Sequence, residues 1–381
     1  MSFLSLFTCD SVWRLRHKRM IINLIRLLTL IFCGKLLIYI LSGPVYESGV
    51  VYSEIVRQKV DLFRVQPTYK LSHLSELPDL RKLNWPEPFV SQAPMITRAP
   101  HNKSAVLPGS FEPSMSIEQL KLCRKLLQIF SDIMFVNGYG NRFMLAGRTL
   151  AGSFHHHDFA PWEDEVSLLV DITIRNRVRE LVKKLTPSYS IVPANETDKF
   201  FTRSLDTTLN SNVEFSQPVA GRAWSWPYVG ISYYVVNKTH VSEFRLTKTD
   251  QISWPIGIVF PLHFRPFGPG WYPAPRDPLR FLRTIYGDGI FCKSRPWSHA
   301  LERPMTVITT RCHSLVYRYP FVFHDVCDEY VGVAKGDMAL SMERLVNLPE
   351  FPEFSAVHGF CLAAPVENTR AETYFYDYRN E

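Results

Sequence analysis

Between residues 116 and 137 the apolar positions fall at helical spacing: Leu120, Cys123, Leu127, Phe130 and Met134 recur every three or four residues and share one face. Ser116, followed three residues later by Gln119, has the form of a capping box. The spacing therefore predicts an amphipathic helix of about five turns, ending near Asn137-Gly138-Tyr139-Gly140. The pattern then shortens. Residues 142–147 and 166–174 are apolar runs that read as buried strands, and 176–185 returns to helical spacing. Farther on, the aromatic and β-branched runs 226–236 and 254–264 suit strands. A punctuated helix follows, with Asp277 as N-cap, Pro278 in the first position and Gly287 as stop. This order predicts an α/β domain over 116–300, a mixed sheet with flanking helices, followed by a C-terminal extension, 301–381, packed on it.

Ahead of the domain, residues 20–43 form a nearly continuous apolar run, broken among the charged types only by Arg26 and Lys35. The run is long enough to span a bilayer, and both charges lie far enough off centre to snorkel. Arg14, Arg16, Lys18 and Arg19 crowd its N-terminal flank, whereas residues 44–54 carry no cation. The positive-inside rule makes 1–19 a cytosolic tail and 20–43 a retained signal anchor, with the remainder in the lumen. A cleaved signal peptide is the competing reading. Eight prolines between Pro67 and Pro113 block long helices, so 44–115 reads as a stem with packed extended pieces.

Composition narrows the function classes. The 381 residues are 46% apolar and 13% aromatic, enough for a sizeable core. The net charge of +7 is concentrated near the N-terminus, and beyond residue 43 bases and acids nearly balance, so a nucleic-acid role has no electrostatic footing. Cys123, Cys292, Cys312, Cys327 and Cys361 fall on the luminal side without C-x-x-C spacing, which predicts one or two disulfides and a leftover thiol. Sequons at Asn102, Asn195 and Asn237 lie on the same side, as N-glycosylation requires.

The chemistry concentrates in residues 147–171, GRTLAGSFHHHDFAPWEDEVSLLVD. Gly147, Thr149, Gly152 and Ser153 read as a turn whose N–H groups and hydroxyls approach phosphates, with Arg148 inside it as a phosphate partner or a surface arginine. On a regular strand Glu163, Glu165 and Ser167 share one face at about 6.6–6.8 Å per step, with Asp164 on the other. Two such carboxylates can converge on a hard divalent cation, which in phosphoryl transfer bridges phosphate oxygens. His155, His156 and His157 are consecutive and cannot all face one ion, so they are expected as solvent-facing loop histidines. Trp224, Trp226 and Tyr228 read as core, with a stacking wall for a base or sugar as the alternative.

The window resembles the signature of the LicD and fukutin family: a Gly-Thr-Leu-Leu-Gly turn, Arg-His, a Phe-Ile-Pro-Trp step and a D-x-D-x-D run. Thr149-Leu150-Ala151-Gly152, His155-His156, Phe159-Ala160-Pro161-Trp162 and Glu163-Asp164-Glu165-Val166-Ser167 stand at those places. A second block agrees in order, with Phe260-Pro261-Leu262, Asp277-Pro278 and Tyr286-Gly287. The resemblance covers roughly 117–300. It implies a nucleotidyltransferase-like fold and metal-dependent transfer of a phosphorylated alcohol, such as ribitol phosphate or phosphocholine, from a CDP-linked donor to a glycan or glycoprotein. It also implies a type II protein of the Golgi or ER membrane. Carried over residue by residue, Glu163 and Glu165 are the Mg²⁺ or Mn²⁺ ligands, Asp164 completes the catalytic set, and Arg148, Thr149, Gly152, Ser153 and His156 attend the donor.

The departures are specific. Ser167 replaces the third carboxylate, and the run expected to supply another acid, Tyr228-Val229-Gly230-Ile231-Ser232, has none. Asp164 and Asp171 are the available substitutes. Two readings stay open: an active transferase, or a non-catalytic relative that binds glycan or scaffolds a partner glycosyltransferase. A luminal enzyme using a sugar nucleotide is a third, which leaves the second block unexplained.

Overall fold

The computed structural model describes residues 62–64, 77–91, 108–194, 196–203, 215–247, 251–287, 291–327, 338–350 and 353–365. The tail 1–19, the anchor 20–43, and the sequons at Asn102 and Asn195 lie outside them. Among the described residues no helix is long and apolar enough to cross a membrane.

Helix α1, Ile117–Val136, begins at the capping box: the Ser116 side chain accepts from the Gln119 backbone N–H, and the Gln119 side chain accepts from the Ser116 N–H at 2.9 Å. Its apolar face, including Cys123, Leu127, Phe130 and Met134, is buried. The central sheet is built from β1 (Phe143–Leu145), β2 (Val166–Asp171), β3 (Tyr189–Val192), β4 (Asp198–Thr202), β5 (Val229–Val236), β6 (His240–Glu243) and β7 (Ser253–Pro255). The main path runs β7-β6-β5-β2-β1, with β4 joining β5 and β3 joining β4. The β2–β5 pair is parallel and the others are antiparallel, so the sheet is mixed. Helices α2 (Gly147–His156), α3 (Arg175–Lys183) and α4 (Pro278–Tyr286) complete the layers. The α4 helix is capped by Asp277, with Pro278 in its first turn and Gly287 at its end.

Two local expectations are corrected. The Gly147–Ser153 turn is the first part of α2, held by packing on β2 and α4. The 254–264 run is no continuous strand: after β7, Pro255 caps a helical turn, Ile256–Val259, before β8 (His263–Phe267) pairs with β9 (Gly270–Ala274). Pro255 and Pro261 lack the N–H groups an unbroken ladder needs.

A short ladder joins β10 (Phe291–Lys293) to β11 (Thr309–Arg311), and Cys292–Cys312 fastens it. Strands β12 (Phe321–Val326), β13 (Met338–Glu350) and β14 (Glu353–Pro365) form a second sheet, with Leu62–Arg64 parallel to β14. Cys327–Cys361 ties this sheet, and Cys123 is a buried free thiol. The cysteine expectation therefore holds, with two disulfides and one thiol left over. Trp226 and Tyr228 are core residues and Trp224 packs partly buried against them.

Candidate functional site

The acidic run lies in the connection from α2 to β2, just before the strand begins. Pro161 and Trp162 form a turn there, and the Glu163 N–H donates to the Ala160 carbonyl at 3.0 Å. Glu163–Glu165 precede the regular strand; Glu165 and Ser167 share a side as expected, whereas Asp164 meets the same His299 ring as Glu165 instead of an opposite face. All three carboxylates point into protein, each toward a cation.

Glu163 is buried and its Oε1 takes Nη1 of Arg148 at 2.5 Å. Arg148 also donates to the backbone carbonyls of Lys293 and Ser294, both at 3.0 Å, and its guanidinium lies 5.7 Å from the Tyr286 ring centre. Asp164 is fully buried; its two oxygens face Nδ1 and the backbone N–H of His299, at 2.7 and 3.1 Å, and Nη1 of Arg295 lies 3.6 Å from Oδ2. Glu165 meets Nε2 of His299 at 2.9 Å, accepts from the Ser167 hydroxyl at 3.0 Å, and has Nζ of Lys199 at 3.9 Å. Each ring nitrogen of His299 thus faces a carboxylate oxygen, and only an imidazolium carries a proton on both.

The electrostatics agree with this geometry. Burial lowers the His299 pKa, but Glu165 and Asp164 outweigh it and raise the group to about 10. Burial pushes Glu165 up, yet His299, Lys199 and Ser167 together bring it down to about 2. Glu163 is raised by burial, against the pull of Arg148. Sequence reasoning missed His299, Lys199 and Arg295. His299 stands 135 residues from Asp164, and no local pattern marks it.

The residues expected at the donor divide into two groups. Arg148, Gly152 and His156 line a cavity beside Glu163, between α2, α4 and β10, whose walls also include Arg283, Tyr286 and Lys293. Thr149 and Ser153 are committed to the scaffold: the Thr149 hydroxyl accepts from the Ser167 N–H at 2.7 Å, and the Ser153 hydroxyl donates to the Pro266 carbonyl at 2.7 Å. Gly152 also passes so close to the Asp158 carbonyl that a Cβ there has no room.

The histidines are buried, which corrects the solvent-facing expectation for His156 and His157, and His155 is only partly exposed. His156 pairs through Nδ1 with the Pro320 carbonyl at 2.7 Å. His157 lies between Nε2 of His358 and Oε2 of Glu343, each at 3.0 Å, and Glu343 is held by a two-pronged contact with Arg265 at 2.8 and 2.7 Å. Burial lowers His156 to about 4. It lowers His157 to about 3, against the opposing pull of Glu343. Asp171, one possible substitute acid, is at the far end of β2 and pairs with Arg142 at 2.6 Å. Asn237 is exposed in the β5–β6 turn, where its side-chain oxygen accepts from the Thr239 and His240 N–H groups at 2.9 and 2.8 Å.

As arranged, the acidic run does not fit a hard dication. Its carboxylates face Arg148, Arg295, His299 and Lys199, and among the described residues no group of three or more His, Cys, Asp or Glu is disposed to hold a metal.

Residues 140–277 match the family model described as LicD/FKTN/FKRP, nucleotidyltransferase domain. The matched span runs from β1 through the acidic motif to the N-cap of α4. A comparison with curated proteins gives no match.

Proposed function

Because the chain belongs to the LicD/fukutin family through residues 140–277, we propose that it is a phosphotransferase-like protein of glycosylation. It moves a phosphorylated alcohol, of the ribitol phosphate or phosphocholine kind, from a CDP-linked donor to a glycan hydroxyl. The observation that carries this reading is the cavity against the acidic motif: Arg148, Arg283 and Lys293 bring positive charge to walls that include Tyr286 and Trp162, with Glu163 as the acid among them. Guanidinium and ammonium groups suit phosphate oxygens, and the aromatic walls suit a base or an alcohol carbon chain. In the reaction the acceptor oxygen attacks the phosphorus bearing the alcohol. The bond from that phosphorus to the bridging oxygen breaks, CMP departs with the electron pair, and the acceptor hydroxyl loses its proton. The cations hold the donor in line and offset the charge that gathers on the leaving oxygen.

The proposal includes a type II topology in the Golgi or ER membrane, with 20–43 as the single span and 116–381 in the lumen. Two disulfides, Cys292–Cys312 and Cys327–Cys361, support an oxidising compartment, and the exposed Asn237 sequon suits it. A specific observation favours the second reading, a non-catalytic relative that binds glycan or scaffolds a partner glycosyltransferase: the motif's carboxylates are already ion-paired inside the chain.

Calorimetric titration of the full-length protein in detergent with CDP separates the two. The transferase reading expects saturable binding, weakened about tenfold, or ~1.4 kcal/mol, by Lys293→Ala. Absence of CDP binding sinks it.

A further inference from the structure

The mismatch between the acidic motif and a divalent ion has an origin in the sheet. Ser167 and Gly230 are register partners across the parallel β2–β5 pair, and both are small. Glu165, one residue before the strand, folds its side chain into the space they leave. One carboxylate oxygen accepts from the Ser167 hydroxyl at 3.0 Å, and the other lies where a Cβ on Gly230 would have to sit. From that position the carboxylate reaches Nε2 of His299 at 2.9 Å and Nζ of Lys199 at 3.9 Å. The absence of an acid at 167 and at 230 and the long side chain at 165 are therefore one arrangement: an acid at 230 and Glu165 in its present place exclude each other.

The other two carboxylates follow the same rule. His299 closes on Asp164 through its ring and its backbone N–H, with Arg295 behind it, and Arg148 closes on Glu163. Arg148 is itself anchored by the carbonyls of Lys293 and Ser294, so it is not a passing surface contact. An ion at ligand distance from Glu163 and Glu165 would have to displace these cations and leave them, partly or fully buried, without their carboxylates, which proteins strongly resist.

We propose that this acidic motif binds no divalent ion, and that Arg148, Lys199, Arg295 and His299 take the cation's place as partners of its carboxylates, Arg148 being the one that also lines the cavity. Positive charge is then built into the chain, and ligand binding in the cavity needs no metal.

The full-length protein in detergent is titrated with MnCl₂ by calorimetry, with free Mn²⁺ followed by electron paramagnetic resonance and no nucleotide present. Wild type is expected to show no saturable Mn²⁺ uptake and the same melting temperature in Mn²⁺ and in EDTA. The His299→Ala variant, which removes the imidazolium shared by Glu165 and Asp164, is expected to acquire the saturable Mn²⁺ uptake that wild type lacks. Saturable uptake by the wild type that is lost in the Glu163→Gln, Glu165→Gln double variant overturns the proposal, and the wild-type titration decides even if a variant does not fold. Since nucleotide is absent, the result is independent of whether the cavity takes a CDP-linked donor.

Discussion

His299, partly buried, and His157, fully buried, each lie within 3.0 Å of a glutamate oxygen, yet one is charged and the other neutral. His299 sits between two carboxylates, Asp164 and Glu165, and is held protonated with a pKa of about 10. His157 faces Glu343, but Glu343 is already gripped by both Nη atoms of Arg265, and the other side of the ring is His358. Burial then prevails, bringing His157 down to about 3. Although burial opposes it, Arg265 and its neighbours keep Glu343 well below the usual carboxylate range. Proximity to an acid does not decide a histidine's charge; what decides it is whether that acid still has charge to share after its stronger partner is satisfied.

The comparison breaks most severely if Glu343 is removed. Glu343→Ala leaves Arg265, with its side chain 5% exposed, without its carboxylate, and should cost about 3–5 kcal/mol in urea unfolding. In that variant His157 loses its acid and stays neutral, so acid sensitivity should persist.

His299→Gln takes the charged ring from between two carboxylates and should cost about 1.5–3 kcal/mol at neutral pH. Its effect on the pH profile sharpens the contrast. His299 rises in the fold from 6.5 to about 10, so its contribution is complete below pH 6.5 and is lost as pH climbs toward 10. His156 and His157 fall from 6.5 to about 4 and about 3, so the unfolded chain takes up protons first and their contribution is lost as pH drops below 6.5. Each limb has a limiting slope of about 1.4 kcal/mol per pH unit for each proton exchanged. Melting followed against pH should show His299→Gln flattening the alkaline limb alone and His157→Gln softening the acid limb alone.

The smallest effect tests the seat of Glu165. Gly230→Ala puts a methyl against the Glu165 carboxylate and should cost about 1–3 kcal/mol. In a Glu165→Ala background the same change should be nearly silent, and full additivity of the two would show that Glu165 does not occupy that space.

Much of this architecture was legible where its determinants are local. The α1 boundary is written in Ser116 and Gln119, and that of α4 in Asp277 and Gly287, because a cap is a contact among residues a few places apart. The family words in 149–167 led to the domain that the 140–277 match supports. What escaped was set by distance along the chain. The Gly-Arg-Thr stretch and Ser153 have turn-like composition, and packing on β2 and α4 makes them helical. The histidines looked solvated because the residues that cover them, Pro320, Glu343 and His358, come 164, 186 and 201 positions later. The ion pairs of Glu165 were not legible because nothing near it in the chain announces Lys199 or His299.

The Cys292–Cys312 bond encloses Ser294, Arg295 and His299 in a loop of 20-residue separation. Its consequence is one of chain entropy. Once oxidised, the loop that carries the imidazolium has its two ends fixed to one another, so Ser294, Arg295 and His299 have fewer conformations to lose when they close on the acid run.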